Sequence, residues 1–92
     1  MKIWFKLWKN SKLLRDVTIE DTSDEPRTHK VMNSLGEACR TFDLERPMWL
    51  DRPVADFKES ARARFYADSF IEEVPFDYLE IEVLEEDVIG EK

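Results

Sequence analysis

The chain of 92 residues has 42% hydrophobic and 12% aromatic side chains, and its formal net charge at pH 7 is −7. This length fits one small domain, and three Trp, two Tyr and six Phe residues can fill its core without a disulfide or a metal. The negative charge argues against nucleic acid as the default partner, because phosphate contacts need a basic face. One cysteine permits no internal disulfide, and neither a membrane span nor a secretory signal is recognisable, so we expect a cytoplasmic protein.

The charges are distributed unevenly along the chain. Residues 1–15 carry five basic side chains and no acidic one, whereas residues 72–92 carry nine acidic side chains and a single lysine. Such asymmetry is typical either of an acidic tail or of two complementary surfaces that meet.

The opening segment KIWFKLWK, residues 2–9, fits either a membrane-seeking amphipathic helix or a strand. Asn10 and Ser11 interrupt it after little more than two helical turns, which is too short for a helix stable in water. Trp, Ile and Phe also favour strands, so we predict a strand followed by a hairpin turn. One face of this strand would be apolar, with Ile3, Phe5 and Leu7. The other face would be mixed, with Lys2, Trp4, Lys6 and Trp8.

The next segment, LLRDVTIED, alternates again and predicts a second strand. Leu13, Val17 and Ile19 would face the core, and Asp16, Thr18 and Glu20 would face outward.

The clearest helix covers about residues 26–42, with Ser23 or Asp24 expected as its N-cap and Pro26 in its first turn. Apolar residues at three-and-four spacing form one buried stripe along it: Val31, Met32, Leu35, Ala38, Cys39 and Phe42.

Two prolines prevent a continuous helix in DLERPMWLDRP, which we predict to be a loop held against the core by Trp49. Asp51 is expected to cap a short helix from Arg52 to about Ser60. That helix would bury Val54, Phe57 and Ala61.

The segment ARARFYADSF fits either an extension of this short helix or a strand, and we favour a strand over about residues 62–70. Its inward residues would be Ala63, Phe65 and Ala67, and its outward ones Arg64, Tyr66 and Asp68. FDYLEIEVLEE predicts a further strand, with Leu79, Ile81 and Val83 inward and Tyr78, Glu80 and Glu82 outward. The tail after Asp87 is expected to be frayed.

These elements predict an α+β fold in a single domain over residues 1–92. The expected architecture is two-layer, with a mostly antiparallel four-stranded sheet and one main helix packed on one face, in the order β-β-α-α-β-β. The basic first strand and the acidic last strand should be neighbours. Opposite charges (Lys2 and Lys6 with Glu80 and Glu82) and aromatic rings (Trp4 and Trp8 with Tyr78) would then share a face.

The stretch from Asp43 to Leu84, with RPMWLDRPVADF and RFYADSFIEEVPFDYLEIEV, resembles small bacterial proteins of unknown function. The resemblance covers nearly half of the chain. It implies a bacterial cytoplasmic setting, and it brings no activity and no site.

No residue pattern points to catalysis. His29 and Cys39 would lie about 15 Å apart on one helix, too far for a base to activate a thiol. DTSDE lacks the glycine and distal glutamate of a calcium loop, and Glu80 with Glu82 fits a solvated or lysine-paired face better than a cation site. We therefore expect a non-enzymatic protein with no catalytic residue, no cofactor and no metal.

The aromatic surface is the feature of functional interest. As strands, the segments turn Trp4, Trp8, Tyr66 and Tyr78 away from the helix, and exposed aromatic patches mark protein interfaces. We expect these residues to bind a protein partner or a second copy of the chain. One alternative is a single-stranded nucleic acid on the same face, which the mixed charges disfavour. Another is an acidic mimic that presents residues 72–91 to a basic partner.

Overall fold

The first two strands form a hairpin. In the computed structural model, which describes residues 1–87, β1 (Lys2–Lys9) and β2 (Lys12–Glu20) are antiparallel. Asn10 and Ser11 between them have φ of 53° and 63°, as in the two-residue turns whose twist matches that of paired strands. The predicted strand and turn are confirmed, and the alternative that this segment forms an amphipathic helix is wrong.

Two helices and two strands complete the fold: α1 (Arg27–Phe42), α2 (Asp51–Ser60), β3 (Arg62–Tyr66) and β4 (Tyr78–Glu85). The sheet order is β2-β1-β4-β3, and every neighbouring pair is antiparallel. This is the predicted α+β fold, and β1 lies beside β4 as the charges predicted. No helix among the described residues is long and apolar enough to cross a membrane. The expectation of a frayed tail after Asp87 concerns residues outside the described range.

The core lies between the sheet and the two helices. Alternate strand residues enter it: Ile3, Phe5, Leu7, Ile19, Ala63, Phe65, Leu79 and Ile81. The predicted stripe of α1 meets them and is buried except at Met32, which is half-buried. Because both helices pack against these side chains, neither covers the opposite face of the sheet, here called the outer face.

Trp49 holds the loop between the helices against the core, as predicted. Its ring meets those of Phe57 and Phe65 edge to face, with centroids 5.6 Å and 4.8 Å away. Of the residues predicted to be buried by α2, Phe57 is buried, whereas Val54 and Ala61 are half-buried. Ala61 adopts a left-handed conformation (φ 57°), which ends α2 and lets β3 begin at the next residue.

One predicted core residue lies on the other face. Leu7 of β1 is opposite Arg15, but its neighbour Trp8 is opposite Leu13, so Leu14 is the extra residue of a β-bulge. The bulge moves Leu13 to the face of Trp8, where it is exposed. The prediction that Leu13 faces the core is therefore wrong, since alternation along a strand fails across a bulge.

The strand predicted over residues 62–70 is correct only as far as Tyr66. A 3₁₀ turn at Ala67–Ser69 follows, in which the N–H of Phe70 donates to the carbonyl of Ala67 at 3.1 Å. The inward position predicted for Ala67 is wrong, because the turn leaves its side chain exposed, and Asp68 lies in the same turn.

The predicted helix caps are also wrong. Helix α1 begins after Pro26 and α2 begins at Asp51 itself, and neither N-terminus has a side-chain cap hydrogen bond in the described residues. Ser23 instead takes part in a local turn, in which its N–H donates to the Asp21 carboxylate at 2.9 Å. Asp24 caps nothing and is exposed.

Candidate interaction surface

The outer face carries its side chains in rows, because the four strands are antiparallel and paired residue by residue. The row at one end of the sheet is apolar and aromatic and is here called the aromatic row: Leu13, Trp8, Tyr78 and Tyr66. The next row is charged: Asp16, Lys6, Glu80 and Arg64. The third row is mixed: Thr18, Trp4, Glu82 and Arg62.

The aromatic row is open to solvent at both ends. Tyr66 is 48% exposed and Leu13 is 43% exposed, while Trp8 and Tyr78 between them are half-buried. The rings of Tyr66 and Tyr78 are in contact, with centroids 5.3 Å apart. The row thus crosses all four strands as one partly exposed apolar strip.

The neighbouring charges are bound to one another. Lys6 is only 6% exposed, and its Nζ lies 3.2 Å from Oε1 of Glu80 and 3.0 Å from Oε1 of Glu82. Arg64 Nε contacts the other oxygen of Glu80 at 3.2 Å, and Arg62 contacts Glu82 at 3.1 Å. These five residues form the charge network, in which each carboxylate is shared by two cations.

The two tryptophans of β1 hold fixed positions on this face. Trp4 Nε1 donates to the Asp16 carboxylate at 2.9 Å, and Trp8 Nε1 donates to Oε1 of Glu80 at 3.0 Å. The Trp4 ring also covers Lys6, whose Nζ is 3.9 Å from the ring centroid. Trp4 is therefore engaged in screening a buried ammonium, a cation–π contact that also reduces its exposed aromatic area.

The network shifts the acidity of its carboxyl groups. Burial opposes the ionisation of Glu80, but the hydrogen bond and charge of Lys6, with the donors of Trp8 and Arg64, outweigh it and hold the pKa of Glu80 below its ordinary value. The hydrogen bond from Lys6 likewise lowers the pKa of Glu82. Both groups are therefore ionised at neutral pH.

The structure brings together three of the four predicted site residues. Trp8, Tyr66 and Tyr78 lie in the aromatic row, whereas Trp4 lies two rows away among the charges. Leu13 belongs to the row and was missed. The adjacent Leu13 and Leu14 interrupt the alternation of this strand, and they are the sequence signal that could have indicated the bulge.

The other residues considered for chemistry lie apart. His29 is exposed and contacts Glu25 at 3.0 Å, whereas Cys39 is buried, and burial raises the pKa of its thiol to about 11. No group of three or more His, Cys, Asp or Glu side chains in residues 1–87 is arranged to hold a metal ion. Glu80 and Glu82 face lysine and arginine, as the lysine-paired alternative predicted.

A scan against protein-family models and searches of the curated proteins and of the solved structures found no match for this chain. The fold and the geometry of the outer face are therefore the basis for a functional proposal.

Proposed function

We propose that the protein is a non-enzymatic interaction module of the cytoplasm, which binds a partner protein or a second copy of itself through the aromatic row. The observation that carries the proposal is the strip itself. Four large side chains, one from each strand, lie side by side and partly exposed on a sheet face that neither helix covers.

The chemistry of the strip favours a protein as the occupant. Tyrosine and tryptophan are enriched at the centres of protein interfaces, where rigid rings bury large areas at a low cost in side-chain entropy. Trp8 is already held by its bond to Glu80, and Tyr78 is held between Tyr66 and the ring-facing guanidinium of Arg64, 4.7 Å away. Binding would therefore order few side chains that are not already ordered.

Single-stranded nucleic acid remains the second candidate, because bases can stack on the same rings. The charges of the outer face support nucleic-acid binding less than they support protein binding. Lys6, which lies beside Trp8 and Tyr78, is buried and bound to Glu80 and Glu82, so a phosphate would have to displace one of these carboxylates to reach it. Those carboxylates would repel it.

The acidic-mimic alternative has less support again. It requires the closing segment to be presented to a partner, yet β4 lies inside the sheet between β1 and β3. Glu80 and Glu82 at its centre are occupied by the charge network.

The proposal is tested by removing the apolar ends of the row. The double variant Leu13→Ser, Tyr66→Ser changes two exposed residues, so we expect it to fold. Leu84→Ser is the matched control, because Leu84 is 45% exposed and lies six residues beyond Tyr78 on β4. Light scattering after size exclusion measures self-association, and quantitative affinity purification from the source cell measures partner binding.

We expect a dimer or a specific partner with the wild type and the Leu84 control, and its loss with the double variant. The proposal would be contradicted if the wild type is monomeric and if affinity purification recovers no protein in larger amount with the wild type than with the double variant. Fluorescence titration with single-stranded RNA and DNA at low salt addresses the second candidate, for which low salt is the most permissive condition.

A further inference from the structure

The sheet has a free edge along β3, because β3 is the last strand in the order β2-β1-β4-β3. The N–H of Val83 donates to the carbonyl of Ala61 at 3.0 Å. In an antiparallel ladder, that bond makes Arg62 and Glu82 a non-hydrogen-bonded pair, and alternate pairs along β3 repeat it. The backbone N–H and C=O groups of Arg62 and Arg64 therefore point away from β4, toward the free edge.

A cleft of about 910 Å³ runs along this edge. One wall is the edge strand and the turn after it: Arg62, Ala63, Arg64, Tyr66, Asp68 and Ser69. The opposite wall is the loop before α2 and its first turns: Trp49, Leu50, Asp51, Arg52, Pro53 and Asp56. The cleft is thus bounded by unpaired strand backbone on one side and by a helix on the other.

Polar groups around the cleft lack partners. Trp49 Nε1 and Ser69 Oγ have no hydrogen-bond partner within residues 1–87, and both residues line the cleft. In the same part of the chain, no backbone or side-chain hydrogen bond reaches the edge-facing groups of Arg62 or Arg64. The edge-facing backbone groups favour an occupant that brings its own backbone donors and acceptors, whereas Trp49 Nε1 and Ser69 Oγ are buried atoms that are enclosed by the protein.

We propose that the cleft receives an extended segment of a partner protein, which adds to β3 as a fifth strand and alternates acidic with apolar residues. Strand addition at an exposed sheet edge beside a helix satisfies the edge backbone and leaves alternate side chains to give specificity. This surface adjoins the aromatic row, and Tyr66 belongs to both.

The side-chain pattern follows from the two faces of β3. Arg62 and Arg64 lie on the outer face and are exposed, so residues of the added strand beside them meet guanidinium donors that Glu82 and Glu80 only partly use. Residues between these would turn toward Ala63, whose small side chain leaves room beside Trp49 and the helix. Acidic residues therefore fit the positions of the added strand beside Arg62 and Arg64, and apolar residues fit the positions between them.

Three aspartates also line the cleft, but within residues 1–87 none of them forms an ion pair with the arginines of β3. Asp56 contacts Arg52 at 3.5 Å on the helix wall, and Asp51 lies in the first turn of α2, where the helix dipole favours a negative charge. Asp68 lies in the turn beyond the strand. The acidic positions of the segment are therefore expected beside Arg62 and Arg64.

A second copy of the chain fits this edge poorly. Its own β3 would bring Arg62 and Arg64 against the same two arginines of the first copy, and like charges opposite each other on paired strands are destabilising. A single extended segment has no such conflict.

The probe is a fluorescein-labelled seven-residue peptide in which glutamate alternates with valine, and the control peptide has lysine in place of glutamate. We expect saturable binding of the glutamate peptide by fluorescence anisotropy, and binding of the lysine peptide at least tenfold weaker. In amide hydrogen exchange, the N–H groups of Arg62 and Arg64 should become protected on binding, while those of Ala63 and Phe65 are protected already.

Two variants at one position separate backbone from side chain. Arg64→Ala loses the guanidinium but keeps the edge-facing N–H, whereas Arg64→Pro also loses that N–H without losing a bond to β4. We expect Arg64→Ala to weaken binding several-fold and Arg64→Pro to weaken it about tenfold further. Circular dichroism checks that both variants fold. If Arg64→Pro does not fold, amide hydrogen exchange in the wild type with and without the peptide tests the role of the edge backbone.

Three results would overturn the proposal. They are no binding of the glutamate peptide at millimolar concentration, equal binding of both peptides, and binding that leaves the exchange of the Arg62 and Arg64 amides unchanged. The single variant Leu13→Ser separates the two surfaces, because Leu13 lies in the aromatic row and does not line the cleft, so this variant should bind the glutamate peptide as the wild type does.

Discussion

Replacing Lys6 by methionine should destabilise the protein far more than the loss of a surface lysine would. Methionine keeps the length of the buried stem and removes the ammonium that contacts Glu80 at 3.2 Å and Glu82 at 3.0 Å. A hydrogen bond to a charged group contributes about 1.5–3 kcal/mol, and breaking a fully buried ion pair costs about 3–5 kcal/mol. Glu80 keeps Trp8 and Arg64 as donors, so we expect a loss of about 2–3 kcal/mol, below the range for a fully buried pair left without any partner.

The same variant should change how stability depends on pH. The pKa of Glu80 in the folded protein is below the ordinary 4.5, so its network contributes stability above that pH and loses it as the pH falls through the folded value. Without Lys6, burial is opposed by fewer favourable contacts and the folded pKa of Glu80 rises. The difference in unfolding free energy between wild type and variant should therefore shrink as the pH is lowered from 7 toward 3.

Urea denaturation followed by circular dichroism and tryptophan fluorescence measures both effects. Lys2→Met is the control, because the one ion pair of Lys2 within residues 1–87 is with the exposed Glu85, at 3.5 Å, and this variant should lose at most about 1 kcal/mol. A loss for Lys6→Met no larger than for this control, or one that stays constant with pH, would refute the reasoning that the pair is buried and coupled.

Three further variants or probes test the core and the main helix. Cys39 should react with a thiol reagent only as fast as the protein unfolds, because it is buried and its pKa is raised to about 11; prompt labelling of the native protein would contradict this. Gly36→Ala should raise the melting temperature, since helix propensity gains about 1 kcal/mol and the new methyl displaces only the flexible end of Arg46; a lowered melting temperature would show that Arg46 is held in place. Phe65→Ala should cost about 3–5 kcal/mol in chemical denaturation, because Phe65 is fully buried against Trp49, and a cost under 1 kcal/mol would be inconsistent with that packing.

The neighbours in the sheet could be predicted because their signal is spread over whole segments. Every outward charge of the opening strand is basic and those of the closing strand are acidic, and the structure pairs Lys6 with Glu80 and Trp8 with Tyr78 as expected. Alternation of apolar residues gave the inner faces of β1 and β4 for the same reason, since each strand repeats the pattern several times.

Local backbone features could not be predicted in this way. The bulge at Leu14 and the turn after Tyr66 each depend on a few residues whose propensities fit more than one conformation. The absent caps at Pro26 and Asp51 show the same limit, because tertiary packing of a helix can replace a capping bond.

The candidate site was only partly accessible from the sequence. Outward aromatics followed from alternation, but the separation of Trp4 from the aromatic row depends on which residue lies opposite it. Lys6 is buried because Trp4 lies over it, and the cleft beside β3 is formed by the packing of α2. Neither feature produces a periodic pattern in the sequence.

Site-specific photo-crosslinking in the source cell tests the central claim most directly. Benzoylphenylalanine in place of Leu13 puts a reactive group at the open end of the aromatic row that does not line the cleft, and the same residue in place of Leu84 is the control at a similarly exposed site. We predict a discrete crosslinked species at position 13, to one protein or to a second copy of the chain, and none at position 84. Equal crosslinking at both positions, or none at position 13, would contradict the assignment of the aromatic row as the binding surface.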